Sequence, residues 1–434
     1  MDIRSLSGKN TCILGFGREG RAMLAALEEF APGCEVTVAD KDETVTLPEG
    51  SRHWLQVGSG WLKNLDKFDV IIKSPGIPPS ALTTDRLPLT TPTQIFFDSI
   101  KDSGATVIGV TGSKGKSTTA SLIYSIVKAN SYKLQATSYL IGNIGEPAIA
   151  HLADAAPDTI FVMEMSSYQL TDLTASPHIA VITAFFPEHL DYHGSLDAYK
   201  EAKKHITRFQ TKDDLVFFAA DSEGAREIAE EGKGKKIPFS AADAPVTIEE
   251  TKLAGTHNLS NIAAAFVVSQ EFKIPKDIAI AAIRSFQPLP HRLQSLGIRD
   301  GIEWVDDSIS TTPESAIAAL DAIGDRVATI ILGGQDRGYD FGKLAKRLKS
   351  SKVQNIILLP DSGKTIGEAL KNEGVTAQCI EAATMQEAVH LAKKAYSFKL
   401  KAYGLSVVLL SPASPSYGHF RNFEDRGDQF KAAI

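Results

Sequence analysis

Cysteine, methionine and tryptophan are scarce in this 434-residue chain, which has three, five and three of them. Cys12, Cys34 and Cys379 are widely spaced and lack metal-ligand spacing, so they are expected to fill cores as reduced thiols. A large excess of charge is also missing: the net charge of -6 argues against nonspecific nucleic-acid binding, although a local cationic pocket is compatible with it. No apolar run approaches the roughly 18 residues of a membrane span. The start, Met1 to Gly8, has no signal-peptide pattern. A cytoplasmic protein with no nucleic-acid or membrane partner is therefore expected. No internal repeat or low-complexity tract is evident.

What is present is the composition of a soluble globular protein, 43% apolar and 23% charged, in a chain too long for one ordinary core. Apolar β-type runs recur between helical stretches: Thr11 to Gly15, Val70 to Ile72, Thr106 to Val110, Thr159 to Met165, Ile179 to Ala184, Leu215 to Ala219, Val327 to Leu332, Ile356 to Leu359 and Ser406 to Leu410. That rhythm predicts an α/β protein with parallel sheets. Breaks at the Thr/Pro-rich stretch Pro88 to Pro92 and at Gln287 to Pro290 divide it into three expected domains, 1–98, 99–287 and 288–434.

Val107 to Thr119 reads as a strand entering a Gly-rich loop, then Lys116-Ser117, then a helix. Glycines let backbone N–H groups turn inward on phosphate oxygens, Lys116 supplies a mobile point charge, and the Ser117 hydroxyl suits Mg²⁺. The bland alternative is a glycine-rich turn without a ligand. A strict P-loop would place glycine at Val110, whereas the glycines fall at Gly109, Gly112 and Gly115. Nearer the start, Gly15, Gly17 and Gly20 match G-x-G-x-x-G after a strand, and Asp40 ends the next strand about twenty residues on. Such a loop takes a dinucleotide, any other diphosphate such as that of a nucleotide sugar, or nothing, as a purely structural turn. A second loop, Lys73 to Pro79, also leaves the carboxyl end of a strand.

Glu164 stands where a buried parallel strand should be apolar. Mg²⁺ held between Glu164 and Ser117 would account for it; so would bonding to local N–H groups at a strand end. His189, Asp191 and His193 share one loop, where a lone histidine is usually structural. Lys203 and Lys204 follow on a helix, where lysines usually form a solvated face. His257 to Asn261 reads equally well as a helix cap, and Arg292 in isolation as a surface ion pair.

The order of these motifs resembles the Mur ligases, ATP-dependent amino-acid-adding enzymes of peptidoglycan synthesis, and their folylpolyglutamate synthase relatives. The family's P-loop variant, G-x-T-G-x-x-G-K-[ST], fits Gly109 to Ser117; its Glu fits Glu164, its loop His fits His189, and its Y-x-x-A-K pattern fits Tyr199, Ala202 and Lys203. H-N-x-x-N fits His257 to Asn261, and the Arg and D-S motifs fit Arg292 and Asp307-Ser308. Ser166 to Leu170, Leu410 to Ser416 and Phe420 to Gly427 are similar to the glutamate-adding branch.

The resemblance implies three α/β domains, Rossmann-like at both ends around a P-loop ATPase-type sheet; a monomer is expected. It implies that Gly112, Ser113, Lys114, Gly115, Lys116, Ser117 and Thr118 hold ATP with Asn258, Asn261, Arg292 and Asp307. Lys116, Glu164, His189 and Lys203 would be catalytic. Two Mg²⁺ ions would be held by Ser117, Glu164, His189 and a carbamylated Lys203. UDP-N-acetylmuramoyl-L-alanine would lie on Gly15, Gly17, Arg18, Glu19, Gly20, Asp40, Lys41, Gly76 and Asn143, and glutamate on Thr311, Arg337, Ser416 and Phe423. D-Glutamate is the expected isomer. Departures keep alternatives open: Ile309 replaces a lysine of D-S-K-A-T, Arg337 replaces the glutamate-binding lysine, Ala184 replaces an asparagine, and Glu188 replaces an aspartate. An arginine differs from a lysine in carboxylate geometry, and the variants resemble a branch that includes L-glutamate-adding enzymes. Another Mur-type or polyglutamate ligase, an NAD-linked oxidoreductase built on Gly15 to Gly20, and an ATP-binding scaffold are the rival readings.

Overall fold

The computed structural model describes the backbone of residues 1–82, 87–188, 190–399 and 406–434 and, within these, the side chains of all but 79, 190, 191 and 397–399. The chain forms two compact units, one of Met1–Thr251 with His257–Phe286, the other of Lys252–Thr256 with Gln287–Ile434. The break expected at 98/99 falls within the helix Pro92–Ile100 and within the first unit. The break expected at 287/288 lies beside Gln287, where the second unit resumes.

The first unit holds two parallel sheets. In one, β1 (Asn10–Leu14), β2 (Glu35–Asp40), β3 (Trp54–Val57), β4 (Val70–Lys73) and β5 (Leu89–Thr90) are ordered β3-β2-β1-β4-β5. In the other, β6 (Thr106–Thr111), β7 (Thr137–Gly142), β8 (Thr159–Glu164), β9 (Ile179–Ile182), β10 (Leu215–Ala219) and β11 (Lys235–Phe239) are ordered β11-β10-β9-β6-β8-β7. Strand order reverses at β6, between β9 and β8, and ligands of open α/β sheets bind outside the carboxyl ends of strands at such a point.

The second unit carries β12 (Gln294–Arg299), β13 (Ile302–Asp306), β14 (Val327–Gly334), β15 (Asn355–Asp361), β16 (Gln378–Glu381) and β17 (Ser406–Leu410), ordered β12-β13-β17-β14-β15-β16. Alternation along its central strands feeds two cores. Val305, Ile330, Ile356, Val407 and Leu409 enter one. Trp304, Ile331, Ile357, Val408 and Leu410 enter the other. Both faces are thus apolar, as a sheet covered on both sides requires.

Every apolar run read as a strand is one. The parallel rule has one exception: β12 pairs antiparallel with β13, as an exposed edge strand entering by a short connection can. One cysteine also departs from expectation. Cys12 and Cys34 are buried, and burial pushes the Cys12 thiol up to about 12, but Cys379 is exposed because β16 is an edge strand with little cover. Among the described residues, no helix is long and apolar enough to cross a membrane.

Candidate active site

The P-loop closes around two glycines that cannot be replaced without displacing neighbours. Gly112 has φ +146°, and a Cβ there would lie 1.9 Å from the Thr183 hydroxyl; Gly115 has φ +86°, and its Cβ would lie 2.2 Å from Asn261 Oδ1. Gly115 is the N-cap of the helix Lys116–Ala129 and supplies no capping side chain, and a helix N-terminus is the end that favours an anion. Lys116 Nζ donates to the carbonyls of Gly112 (2.9 Å) and Ser113 (2.8 Å). Ser113 Oγ bonds the Phe186 carbonyl (2.7 Å) and Tyr199 OH (2.9 Å), and Lys114 pairs with Glu188 at 2.6 Å. Ser117 and Thr118 are buried in the first helical turn.

β6 is hydrogen-bonded to β8 with Val110 opposite Glu164, so that carboxylate sits one strand from the P-loop. Glu164 is 1% exposed; Oε1 accepts from Asn143 Nδ2 at 2.8 Å, while Oε2 is buried with no hydrogen-bond partner among the described residues.

Lys203 comes from the helix Leu196–Arg208, capped by the Ser195 hydroxyl. Tyr199, Ala202, Lys203 and Ile206 form its buried stripe at helical spacing, so the lysine occupies a core position. It is 1% exposed, and its Nζ donates to the Gly112 carbonyl at 2.8 Å and contacts Thr111 Oγ1 at 3.3 Å. Burial pushes its amine well below the ordinary lysine value, and the Lys116 charge adds to that; Glu188 and Glu164 oppose it. Lys204, one residue on, pairs with Glu231 at the surface instead. His189 lies outside the described residues.

Asn258 and Asn261 face inward from the helix Asn258–Glu271. Asn261 Nδ2 donates to Asn258 Oδ1 (2.8 Å), and Asn261 Oδ1 accepts from Thr119 Oγ1 (3.2 Å), beneath the P-loop helix. His257 stands at the N-cap and makes no side-chain cap bond.

In the N-terminal sheet, Gly15 has φ +87°, and a Cβ on Gly20 would lie 2.1 Å from the Gly15 carbonyl. Asp40 accepts from Phe16 N (2.6 Å) and Asp42 N (2.9 Å), tying the loop after β1 to the turn that carries Lys41. Gly17 and Gly76 open onto free space. Glu19 accepts from Gln169 Nε2 at 3.3 Å, and burial raises its carboxyl. Arg18 reaches carbonyls after β7, at Gly142, Asn143 and Gly145. Buried Lys73 pairs with Asp172 at 2.9 Å. None of these cross-links was legible in the sequence, because the partners stand far apart along the chain.

In the second unit Asp307 follows β13 and is 3% exposed. It accepts from Ser411 Oγ (2.8 Å), Ser310 Oγ and Leu293 N (3.1 Å). Arg292 lies between His291 and Leu293, both of which have positive φ. Ser416 is buried; Thr311 is half-buried, directly before the cap of the helix Pro313–Ile323; Arg337 is exposed and bonds Gln335. Phe423 opens the last helix, Phe423–Ala433, and its carbonyl accepts from Ser308 Oγ at 2.8 Å. The same helix supplies a residue that sequence reasoning passed over. Arg426 is fully buried and donates to Ser308 Oγ (3.0 Å), Ser308 O (2.7 Å) and Ser414 O (2.9 Å).

Burial pushes Asp307 from its ordinary 3.8 up to about 6. A raised carboxyl keeps its proton longer in the folded state than in the unfolded one. Its contribution is therefore full below 3.8, falls as pH rises to about 6, and is level above that. Asp307→Asn should lack this loss, so the stability gap between variant and wild type in urea unfolding should shift in the variant's favour by roughly 1–3 kcal/mol between pH 4 and 7. A gap independent of pH would refute the proton-retaining carboxyl.

Residues 110–269 match the Mur ligase middle domain, and residues 291–413 the Mur ligase glutamate ligase domain. The chain is 35% identical to a UDP-N-acetylmuramoyl-L-alanine--L-glutamate ligase of Salinispora tropica, over 100% of this chain and 99% of that one. It is 32% identical to a UDP-N-acetylmuramoylalanine--D-glutamate ligase of Symbiobacterium thermophilum, over 98% of each. Among solved structures, the MurF ligase of Thermotoga maritima in complex with ADP shares the fold, with a TM-score of 0.61 at 15% identity over 100% of this chain and 96% of that one. With whole-length identity of this degree, the chain belongs to the Mur ligase family, ATP-dependent ligases that form amide bonds.

Proposed function

We propose that this chain joins glutamate to UDP-N-acetylmuramoyl-L-alanine, cleaving ATP to ADP and phosphate, in cytoplasmic peptidoglycan precursor synthesis. The observation that carries the proposal is the buried pair at the P-loop: Lys203, held against the Gly112 carbonyl at 2.8 Å, and Glu164, one of whose oxygens is buried without a partner among the described residues. The names of the two relatives support the choice of substrates. In the proposed reaction a carrier carboxylate oxygen attacks the γ-phosphorus of ATP and ADP leaves, giving an acyl phosphate. The glutamate amine then adds to the acyl carbon, loses a proton, and phosphate departs from the tetrahedral intermediate. Lys116 and the helix N-terminus spread the charge of phosphoryl transfer.

The residues present suit a divalent cation. A buried carboxylate oxygen without a donor is costly unless a cation meets it. Ser117, Glu164, His189 and a carbamylated Lys203 would hold Mg²⁺, which supplies charge neutralisation at the transferring phosphoryl group. Carbamylation needs a neutral amine to attack carbon dioxide, and burial shifts Lys203 toward that form. In the proposed division, residues 1–98 bind the carrier, 99–287 bind ATP and 288–434 bind glutamate, in a monomer.

The two relatives are named for opposite isomers. D-Glutamate is the expected substrate. The L-isomer is a second reading, favoured by Ile309, Arg337 and the 35% identity to the Salinispora tropica ligase. Phosphate release with UDP-N-acetylmuramoyl-L-alanine, compared with D- and L-glutamate, decides between them. Release with neither, under conditions where ATP binds, overturns the proposal.

A further inference from the structure

We propose that Arg18 is a positioning residue for Glu164, acting through the loop after β7. The inference rests on the reading above only in taking Glu164 as a ligand of the divalent cation. Register places Gly142 opposite Glu164 on β8, so the first loop residue, Asn143, emerges beside that carboxylate. Asn143 is tied to Glu164 twice: its backbone N–H donates to the Glu164 carbonyl at 3.0 Å, and its Nδ2 donates to Oε1 at 2.8 Å. The second bond fixes the rotation of the carboxylate and leaves Oε2 as the oxygen without a partner among the described residues.

The loop that aims Asn143 is tight. Gly142 and Gly145 have φ +97° and +69°, and Cβ atoms there would lie 2.4 Å from the Glu164 carbonyl and 2.1 Å from the Leu140 carbonyl. Its carbonyls at Gly142, Asn143 and Gly145 converge on the Arg18 guanidinium at 3.1, 2.9 and 3.2 Å. A planar cation with five donors can satisfy three carbonyls at once; an ammonium on a flexible stem does so with poorer geometry. Arg18 is the first residue of the helix that follows the Gly15–Gly17 turn, so its anchor lies in the N-terminal glycine motif. The guanidinium thus links that motif to the carboxylate beside the P-loop, a different task from contacting a diphosphate. Partners that orient a metal ligand from behind typically set affinity by about ten-fold or more.

The test uses Mn²⁺ as probe, with the full-length protein and a non-hydrolysable ATP analogue, without carrier or glutamate, and reads the Mn²⁺ dissociation constant by electron paramagnetic resonance. Arg18→Ala and Asn143→Ala should each weaken Mn²⁺ by about ten-fold, and the double variant should be no weaker than the more affected single one. Arg18→Lys, which keeps the charge, should recover only part of the loss, and it carries the test if Arg18→Ala fails to fold. Unchanged Mn²⁺ affinity in a folded Arg18 variant, or additive losses in the double variant, overturns the inference. Ligation is not needed for this readout. Wild-type protein that releases phosphate while Arg18→Ala binds Mn²⁺ normally sinks this inference alone. Wild-type protein that releases none, while Arg18→Ala binds Mn²⁺ weakly, sinks the ligase proposal alone.

Discussion

Replacing Lys203 by methionine is expected to lower glutamate-dependent phosphate release on the order of 10²–10³-fold, the range for losing one preorganised group at a reacting phosphoryl or acyl centre. Methionine keeps the buried stem and removes the amine, so packing against Tyr199 should survive. The stability sign is opposite to that of activity. A lysine whose folded value is depressed binds fewer protons folded than unfolded, so its cost is present throughout the range below 10.5 and is relieved only as pH rises toward it. Lys203→Met should therefore be as stable as wild type, or more so, at neutral pH, while nearly inactive. Isotope-labelled bicarbonate gives a second readout: a carbamate resonance in wild type that is absent from Lys203→Met. Full activity in Lys203→Met or Lys203→Ala would refute the assignment.

The second large effect is expected at Arg426. Arg426→Ala removes a fully buried cation whose donors satisfy two carbonyls and a hydroxyl, at Ser308 and Ser414. Burial pulls this guanidinium down to about 9, which leaves it charged at neutral pH. Stranding those buried acceptors and opening a cavity should destabilise the second unit by about 3–5 kcal/mol, read by urea unfolding. Arg426→Met restores volume and should recover only part of that, because the carbonyls stay unpaired. The Ser308 hydroxyl also bonds the Phe423 carbonyl, so surviving variants should show a raised KM for glutamate, whose expected site includes Phe423. A loss under 1 kcal/mol, within the range of a surface substitution, would contradict the assignment of Arg426 as a hub.

Much of the candidate site could be read before folding, for reasons that differ residue by residue. The P-loop was legible because backbone turns at Gly112 and Gly115 demand glycine wherever the loop occurs. Glu164 was legible as a carboxylate out of place in an apolar strand. Lys203 could be chosen over Lys204 only through the family pattern; yet the stripe Tyr199, Ala202, Lys203, Ile206 carries the same information in its 3.6-residue period. Arg426 lies in the stretch Phe420 to Gly427 that resembles the family, but that resemblance gave it no role, and nothing local marks it as buried. Arg18 was placed among the carrier-binding residues through the family resemblance, and its place beside Gly17 said nothing of the loop it would meet. The antiparallel β12 was missed because Gln294–Arg299 carries no strong apolar run.

By itself, the sequence determined the alternation of strands and helices, the glycine turns and the residue types at the carboxyl ends of strands, because these depend on local periodicity and on backbone angles. The tertiary structure decided which oxygen of Glu164 is bonded, how deeply Lys203 is desolvated, and which carbonyls Arg18 and Arg426 gather. Those outcomes depend on sheet order and register, which bring Arg18 to Asn143 and Ser308 to Arg426 across more than a hundred residues of chain. Solvation and hydrogen-bond partnership belong to the packed neighbourhood, and no local stretch of sequence contains it.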